Sequence, residues 1–295
     1  MLERVTIDDE RFVLKHMHVD DDWIQRSMGD LLTKPLEMWR SGLFDALPPS
    51  IDHTIVDVAC GLGRNGWGCA ILMRDVSPSM LPIEEIPVDL QLQFLDHMAG
   101  LHAHFWDFRD TIGLLPVSNR YFLLSPLMAQ IEAERGGTDP VPTMVPDGWA
   151  QAFDGSPVIA KYVRPLLADP FPLVDAQSSD PQCLVHSDWK AGNLGATGDG
   201  RTVLIDWAMP GRASPTLDLA DYLAVNCDLL PVSKEDTIAM YREALERHGI
   251  ATGPWWDRTL ELSLLGLTVL MAWSKRGDEL AWWEEHVERA VRYLD

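Results

Sequence analysis

Three polar residues between Leu184 and Leu223 have the types and the spacing that phosphoryl-transfer chemistry needs. In the segment LVHSDWKAGNLGATGDGRTVLIDWAMPGRASPTLDLADYL, Asn193 follows Asp188 by five residues and Asp206 follows Asn193 by thirteen. Asp206 ends an aliphatic, β-branched run that comes after a Gly-Asp-Gly turn. A strand–turn–strand unit can therefore hold the three side chains around one pocket.

These residue types suit metal-assisted transfer from a nucleoside triphosphate. The triphosphate is highly anionic, so a Mg²⁺ ion must bridge its phosphates. A carboxylate and an amide oxygen are hard ligands for Mg²⁺, which makes Asp206 and Asn193 candidate metal ligands. Asp188 can accept the proton of an attacking hydroxyl or hold it in line. Lys190 can place a positive charge beside the transferring group, although an ordinary surface lysine explains it equally well.

The ordered motifs resemble those of the aminoglycoside phosphotransferase and choline kinase-like family, a branch of the protein-kinase-like fold. The matching stretches are HSDWKAGN at 186–193, IDW at 205–207 and DLA at 218–220. The resemblance implies that Asp188 is the catalytic base, that Asn193 and Asp206 bind Mg²⁺, and that ATP is the donor. It also implies that His186 and Asp218 brace the loop and do no chemistry.

Lys15 is the N-terminal counterpart of this site. It lies among apolar neighbours in RFVLKHM, a predicted strand, like the family lysine that holds the α- and β-phosphates; an edge-strand lysine facing solvent is the alternative. Its usual partner is a glutamate on the next helix, for which Glu37 is the candidate, although a solvated helix face suits Glu37 nearly as well. The backbone near Met73 and Asp75 is expected to bind the adenine.

A separate glycine-rich run, GLGRNG at Gly61–Gly66, has the outline of a dinucleotide-binding turn. DVACGLG also resembles the cofactor loop of S-adenosylmethionine-dependent methyltransferases. Such a loop opens a helix, whereas the following WGCAILMRDVSP is typical of a strand. We therefore predict a hairpin turn here and keep a methyltransferase as a remote alternative.

The chain ahead of Lys15 contains one predicted hairpin, Arg4–Ile7 with Arg11–Met17. It corresponds to the second and third strands of the family's small lobe, and the first strand and its phosphate-covering glycine loop have no counterpart. A start further upstream or an unusually short lobe would explain this. Because positioning is most of phosphoryl-transfer catalysis, a nucleotide-binding pseudokinase with little or no transfer activity is the main alternative.

Together these features predict an α+β, two-lobe, protein-kinase-like fold. Residues 1–78 are the predicted nucleotide-binding lobe, with the hairpin, a helical stretch split by Pro35 and two further strands. Residues 79–295, mostly helical, are the predicted catalytic and substrate-binding lobe. The proline-rich SPSMLPIEEIP marks the boundary, and Arg109–Pro146 is predicted to be rich in loops.

Composition restricts the partners. With 295 residues, 46% hydrophobic and 23% charged, the chain is typical of a soluble globular protein. A net charge of −21 argues against nucleic-acid binding and leaves room for a cationic acceptor. The four cysteines show no metal-ligand spacing. The N-terminus lacks a signal-peptide pattern, and the longest apolar run, Leu262–Trp273, is shorter than the roughly 20 residues of a membrane span. We expect a cytoplasmic enzyme acting on a hydroxyl of a small molecule (aminoglycoside, amino alcohol or sugar-like), without nucleic-acid or membrane partners and in an unknown oligomeric state.

Overall fold

A small antiparallel sheet precedes a larger helical part in the computed structural model, which describes residues 2–62, 66 and 68–294. The strands are β1 (Leu2–Ile7), β2 (Glu10–Met17), β3 (Ile51–Asp52), β4 (Ile55–Leu62), β5 (Gly68–Arg74), β6 (Cys183–Val185), β7 (Leu194–Ala196), β8 (Thr202–Leu204) and β9 (Gly211–Ala213). The helices are α1 (Trp23–Met28), α2 (Lys34–Ser41), α3 (Val88–His104), α4 (Val117–Phe122), α5 (Pro126–Glu134), α6 (Pro140–Gly155), α7 (Arg164–Ala168), α8 (Phe171–Gln177), α9 (Pro215–Val225), α10 (Lys234–Arg247), α11 (Trp256–Met271) and α12 (Gly277–Ala290).

The N-terminal sheet has the strand order β1-β2-β5-β4, with antiparallel pairing throughout. The predicted first hairpin is present, and its turn consists of Asp8 and Asp9, both with positive φ (50° and 67°). This is the backbone that two-residue hairpin turns need. Lys15 pairs with Ile71 of β5, so the lysine lies on an inner strand of the sheet and not on its edge.

The glycine-rich run joins β4 to β5. The two strands are antiparallel, and Leu62 pairs with Gly68. The two flanking strands therefore confirm the predicted hairpin. Residues 63–65 of the run, and residue 67 just after it, lie outside the described residues. A strand begins at Gly68, where a methyltransferase cofactor loop would begin a helix.

Short strands connect the two parts of the chain. β3 pairs in parallel with β8, which pairs with β7. The connector that follows β5 runs along β7, because Leu81 N donates to Leu194 O at 2.9 Å. A Cβ on Gly195 would collide with the carbonyl of Ser79, so this close approach requires glycine. The boundary predicted at residue 78 lies in this connector and stays a prediction.

The helical part is built around α11, which is buried on almost its whole circumference. α9, α12 and α4 pack against it. Within the described ranges, no helix is long and apolar enough to cross a membrane. The all-round apolar character of α11 therefore reflects its central place in the core.

The stretch Arg109–Pro146 contains α4, α5 and the beginning of α6, so the prediction of a loop-rich segment was wrong. Two of its prolines start helices: Pro126 is the first residue of α5 and Pro140 the first of α6. Proline suits this position because its fixed φ is helical and its missing N–H would have no partner there. Ser125 caps α5, since its Oγ accepts the N–H of Met128 at 3.2 Å.

Candidate active site

Asp218, on the first turn of α9, holds the loop that follows β6. Its Oδ1 accepts the N–H of Ser187 at 2.7 Å, and its Oδ2 accepts that of His186 at 2.9 Å. The same Oδ2 contacts Trp189 Nε1 at 3.0 Å and His102 Nε2 at 3.1 Å. Burial raises the pKa of Asp218, but the contacts with His102 and His186 outweigh it and hold the pKa below its ordinary value. A buried carboxylate thus braces the loop.

Two further side chains of the α9 region hold the same loop. Asp221 Oδ2 accepts the N–H of Trp189 at 3.0 Å, and Asn226 Oδ1 accepts that of Ala191 at 2.8 Å. Asn226 Nδ2 donates back to Trp189 O at 2.9 Å. The sequence analysis did not identify Asp221 or Asn226. The sequence does contain a pattern that could have identified them. Asp218, Asp221 and Asn226, at positions i, i+3 and i+8, interrupt an otherwise apolar helical stretch.

The structure brings Asp188, Asn193 and Lys190 together. Asp188 Oδ2 accepts Asn193 Nδ2 and Lys190 Nζ, both at 2.7 Å. Both contacts use Oδ2, so Oδ1 is the oxygen left to face a substrate. Burial lowers the pKa of Lys190, but the carboxylates of Asp188, Asp206 and Asp221 raise it above its ordinary value. Lys190 is therefore a cation in contact with the candidate base.

Lys15 and Asp206 meet although 191 residues separate them. Lys15 Nζ lies 2.6 Å from Asp206 Oδ1. Burial raises the pKa of Asp206, but the charge and the hydrogen bond of Lys15, together with the charge of Lys190, outweigh it and hold the pKa below its ordinary value. Asp206 follows β8 with φ +63°, a left-handed conformation that is unusual for a residue other than glycine. Such strained positions cluster at functional sites.

His186 links the two loops of the site as a neutral imidazole. Its Nδ1 accepts the N–H of Asp188 at 3.2 Å, so the proton lies on Nε2, which is 3.1 Å from Ile205 O. Burial lowers the pKa of His186. The ring also packs edge-on against Trp207, with centroids 4.6 Å apart. These contacts are those of a bracing residue.

Asn193 and Asp206 fit a Mg²⁺ ion in their chemistry. The Nδ2 of Asn193 is committed to Asp188, which leaves its amide oxygen free to bind a cation. Ile205 N donates to Asn193 O at 3.1 Å and ties the two ligand-bearing elements together. Over the residues that the structure describes, no group of three or more His, Cys, Asp or Glu side chains can hold a metal. Two oxygen ligands suit Mg²⁺, which usually retains waters and substrate phosphates.

Three other candidates lie apart from this cluster. Glu37 pairs with Arg40 at 3.1 Å on its own helix. The expected Lys15–Glu37 pair is not found among the ion pairs of the described residues, and Lys15 is held by Asp206 instead. Met73 lies in β5 between its neighbours on β2 and β4. The N–H of Asp75 donates to Arg11 O at 3.1 Å, and the expectation that the backbone near Met73 and Asp75 binds the adenine stays a prediction.

Comparison with protein-family models gives one match to this site. Residues 121–259 match the phosphotransferase enzyme family known as APH. The family resemblance predicted from the sequence is confirmed. The phosphotransferase match contains every loop and α9 residue described above and ends before most of α11, whereas Lys15 lies outside it. No curated protein matches the chain in sequence.

Solved structures of phosphotransferases have the same fold. A spectinomycin phosphotransferase in complex with ADP and spectinomycin is 12% identical, with a TM-score of 0.51 over 98% of this chain and 84% of that one. An aminoglycoside phosphotransferase from Streptomyces rimosus in complex with ADP and streptomycin is 16% identical, with a TM-score of 0.50 over 91% and 92%. At these identities the likeness shows the fold alone, and it is the predicted two-lobe, protein-kinase-like fold.

Proposed function

We propose that the protein is an ATP- and Mg²⁺-dependent phosphotransferase that transfers the γ-phosphate to a hydroxyl group of a small molecule. The observation that carries the proposal is the contact between Lys15 and Asp206 beside the Asp188 cluster. The proposal is supported by the meeting of a candidate phosphate-binding cation with a candidate metal-binding carboxylate. It is also supported by Lys190, which contacts the candidate base Asp188 and whose charge acts on Asp206. These are the parts that phosphoryl transfer requires.

Each side chain has a distinct task in this proposal. Asp188 accepts the proton of the acceptor hydroxyl on Oδ1 while its Oδ2 is fixed by Asn193. The hydroxyl oxygen then bonds to the γ-phosphorus as the bond to the departing ADP oxygen breaks. Lys190, already 2.7 Å from Asp188, offsets charge on the transferring group.

The nucleotide is held from both sides. Lys15 binds the α- and β-phosphates, and Asn193 and Asp206 hold Mg²⁺, which neutralises the charge that develops on the phosphates when it is bound. We assign the nucleotide to residues 1–78 and the acceptor to residues 79–295. We assign the adenine to the backbone near Met73 and Asp75, through groups other than the N–H of Asp75.

The acceptor class is supported by charge and by the solved relatives. Both relatives bind ADP together with an antibiotic, spectinomycin or streptomycin. The net charge of −21 favours a cationic acceptor over an anionic one. Aminoglycosides, amino alcohols and amino sugars are the acceptors to screen first.

The test is a coupled assay of ADP release with a panel of such acceptors, with and without Mg²⁺. Transfer should require both acceptor and metal, and Asp188→Asn should abolish it. Asp199→Asn is the matched control: this residue lies on the exposed turn between β7 and β8, paired with Arg201. If both variants keep full activity, Asp188 is not the base.

Binding and transfer must be measured separately. Calorimetry with ATP and Mg²⁺ should show metal-dependent binding that Asp206→Asn weakens. Tight binding without transfer to any acceptor would refute the enzyme and leave the pseudokinase alternative. The absence of both binding and transfer would refute nucleotide use altogether.

A further inference from the structure

The peptide bond that carries the candidate base is held at both of its polar groups. Asp188 O accepts Asn193 Nδ2 at 3.0 Å, and the N–H of the next residue, Trp189, donates to Asp221 Oδ2 at 3.0 Å. All of these groups are buried. The orientation of this peptide plane fixes the direction in which the Asp188 side chain leaves the backbone.

Asp221 is itself held by a cation from another part of the fold. Its Oδ1 pairs with a guanidinium nitrogen of Arg120 on α4, and both side chains are almost fully buried (4% and 2% exposed). Among the described residues, the buried Nε of Arg120 has no hydrogen-bond partner, and Arg120 Nη1 makes only a weak contact, 3.7 Å to Met209 Sδ. The Arg120 charge therefore depends on Asp221 for compensation. In the described part of the chain, neither side chain hydrogen-bonds to Asn193 or Asp206, the candidate metal ligands.

We propose that Asp221 and Arg120 form a positioning pair that aims Asp188 at the acceptor hydroxyl, an inference that rests on the proposed phosphotransferase function. The pair acts through the Trp189 peptide and does not contact the reacting atoms. Effective transfer requires the base and the hydroxyl to be aligned, and a displacement of about 1 Å can cost about 100-fold in rate. A loss of charge on Asp221 would loosen the peptide that sets this alignment.

The charges around Asp221 make the positioning pair sensitive to pH. Burial raises the pKa of Asp221; Arg120 on α4 lowers it, and Asp188 in the loop and Asp218 on the same helix raise it, so that the pKa is about 7. As the pH falls through 7, Asp221 takes up a proton and its attraction for Arg120 is lost. Transfer should then decline in a pH range in which Asp206 is still ionised, because the pKa of Asp206 lies below its ordinary value.

Asp221→Asn is the main test, because it keeps the shape and one acceptor oxygen and removes the charge. We expect kcat to fall about 10- to 100-fold, with the affinity for ATP and Mg²⁺ changed less than about twofold. The acid limb near pH 7 that we expect in the wild-type kcat profile should be absent from the profile of Asp221→Asn. An unchanged kcat and profile would overturn the proposal.

The double variant Asp221→Asn/Arg120→Met separates positioning from stability. It removes the buried pair entirely and replaces the cation with an apolar side chain of similar length, which restores stability in many buried pairs. We expect the midpoint of urea unfolding to recover from the single variant while kcat stays low. If kcat recovers together with stability, the pair is only structural and the proposal fails.

An NMR measurement tests the same coupling without turnover. The amide resonance of Trp189 in the full-length protein should shift with a midpoint near pH 7 in the wild type and stay flat in Asp221→Asn. A flat wild-type resonance would overturn the coupling. A titrating resonance in a protein that transfers phosphate to no acceptor would instead count against the proposed function alone.

Discussion

Replacing Asp218 with asparagine should destabilise the protein strongly, because this carboxylate accepts four donors and is fully buried. In the better of the two orientations of the asparagine side chain, the amide nitrogen takes the place of Oδ1. Its N–H groups then face the N–H of Ser187, which loses its acceptor. The loss of one charge-assisted hydrogen bond costs about 1.5–3 kcal/mol, and the donor left unpaired costs a further ~1–3 kcal/mol. We therefore expect the free energy of unfolding to fall by about 3–5 kcal/mol.

Urea denaturation at pH 7, followed by fluorescence, measures this change. Asp175→Asn is the matched control, since Asp175 is exposed on α8 and makes no side-chain hydrogen bond among the described residues. The control should change the free energy of unfolding by less than about 0.5 kcal/mol. If Asp218→Asn unfolds within about 1 kcal/mol of the wild type, the carboxylate does not brace the loop as argued from its bonds.

The same carboxylate gives a sign for the pH dependence. The pKa of Asp218 in the folded protein lies below its ordinary value. Its stabilising contribution is therefore fully present above the pKa that it has in the unfolded chain, and it is lost as the pH falls through the folded-state value. The stability difference between wild type and Asp218→Asn should accordingly shrink at acidic pH. A difference that grows on acidification would contradict this account.

Three further outcomes are expected. Lys15→Met should weaken ATP binding at least about tenfold in calorimetry, and equal affinity would exclude Lys15 from phosphate binding. Thiol labelling of the native protein should modify the exposed Cys60 first. Cys69 and Cys183 are buried and should react only after unfolding. Burial also raises the pKa of Cys69 to about 11 and that of Cys183 well above its ordinary value, which disfavours the reactive thiolate. Burial lowers the pKa of His97, so on acidification the unfolded chain binds a proton at this residue before the folded protein does. In urea titrations, wild-type stability should therefore fall more than that of His97→Gln when the pH is lowered from about 7.5 to about 5.5. Parallel stability curves for the two proteins would show that His97 is not the cause.

The grouping of the candidate residues could be predicted from the sequence, because chemistry restricts residue type, whereas their roles stay predictions. Asp188, Asn193 and Asp206 lie within 19 residues on a strand–turn–strand unit, and local geometry alone brings them together. The glycine-rich hairpin was likewise predictable, because the residues after it have the pattern of a strand. Both conclusions depend on short-range rules, which hold wherever one element follows another directly.

Two expectations failed because they depend on how elements pack. Glu37 was assigned to Lys15 from helix order, but an ion pair between two elements depends on the placement of the helix, which periodicity does not contain. Arg109–Pro146 was predicted to be rich in loops, but its proline content does not decide this, because proline is favoured at a helix start as well as after a helix end. A proline at a helix start and a proline after a helix end differ only in whether the helix follows or precedes the proline.

The anchors of the loop show why a chemical site is easier to predict than its support. An acid in an apolar helix is compatible with solvent exposure, a core ion pair or a loop brace, and only the position of its partner decides. For Asp221 that partner is Arg120, 101 residues away on a helix in the stretch that was predicted to be rich in loops.

The contact of Lys15 with Asp206 has an energetic consequence. In the proposed function, phosphates that bind Lys15 and a metal that binds Asp206 would both replace an ion pair that is already present at 2.6 Å. Nucleotide binding would then exchange one set of charge contacts for another, and its net free energy would be smaller than the new contacts alone suggest.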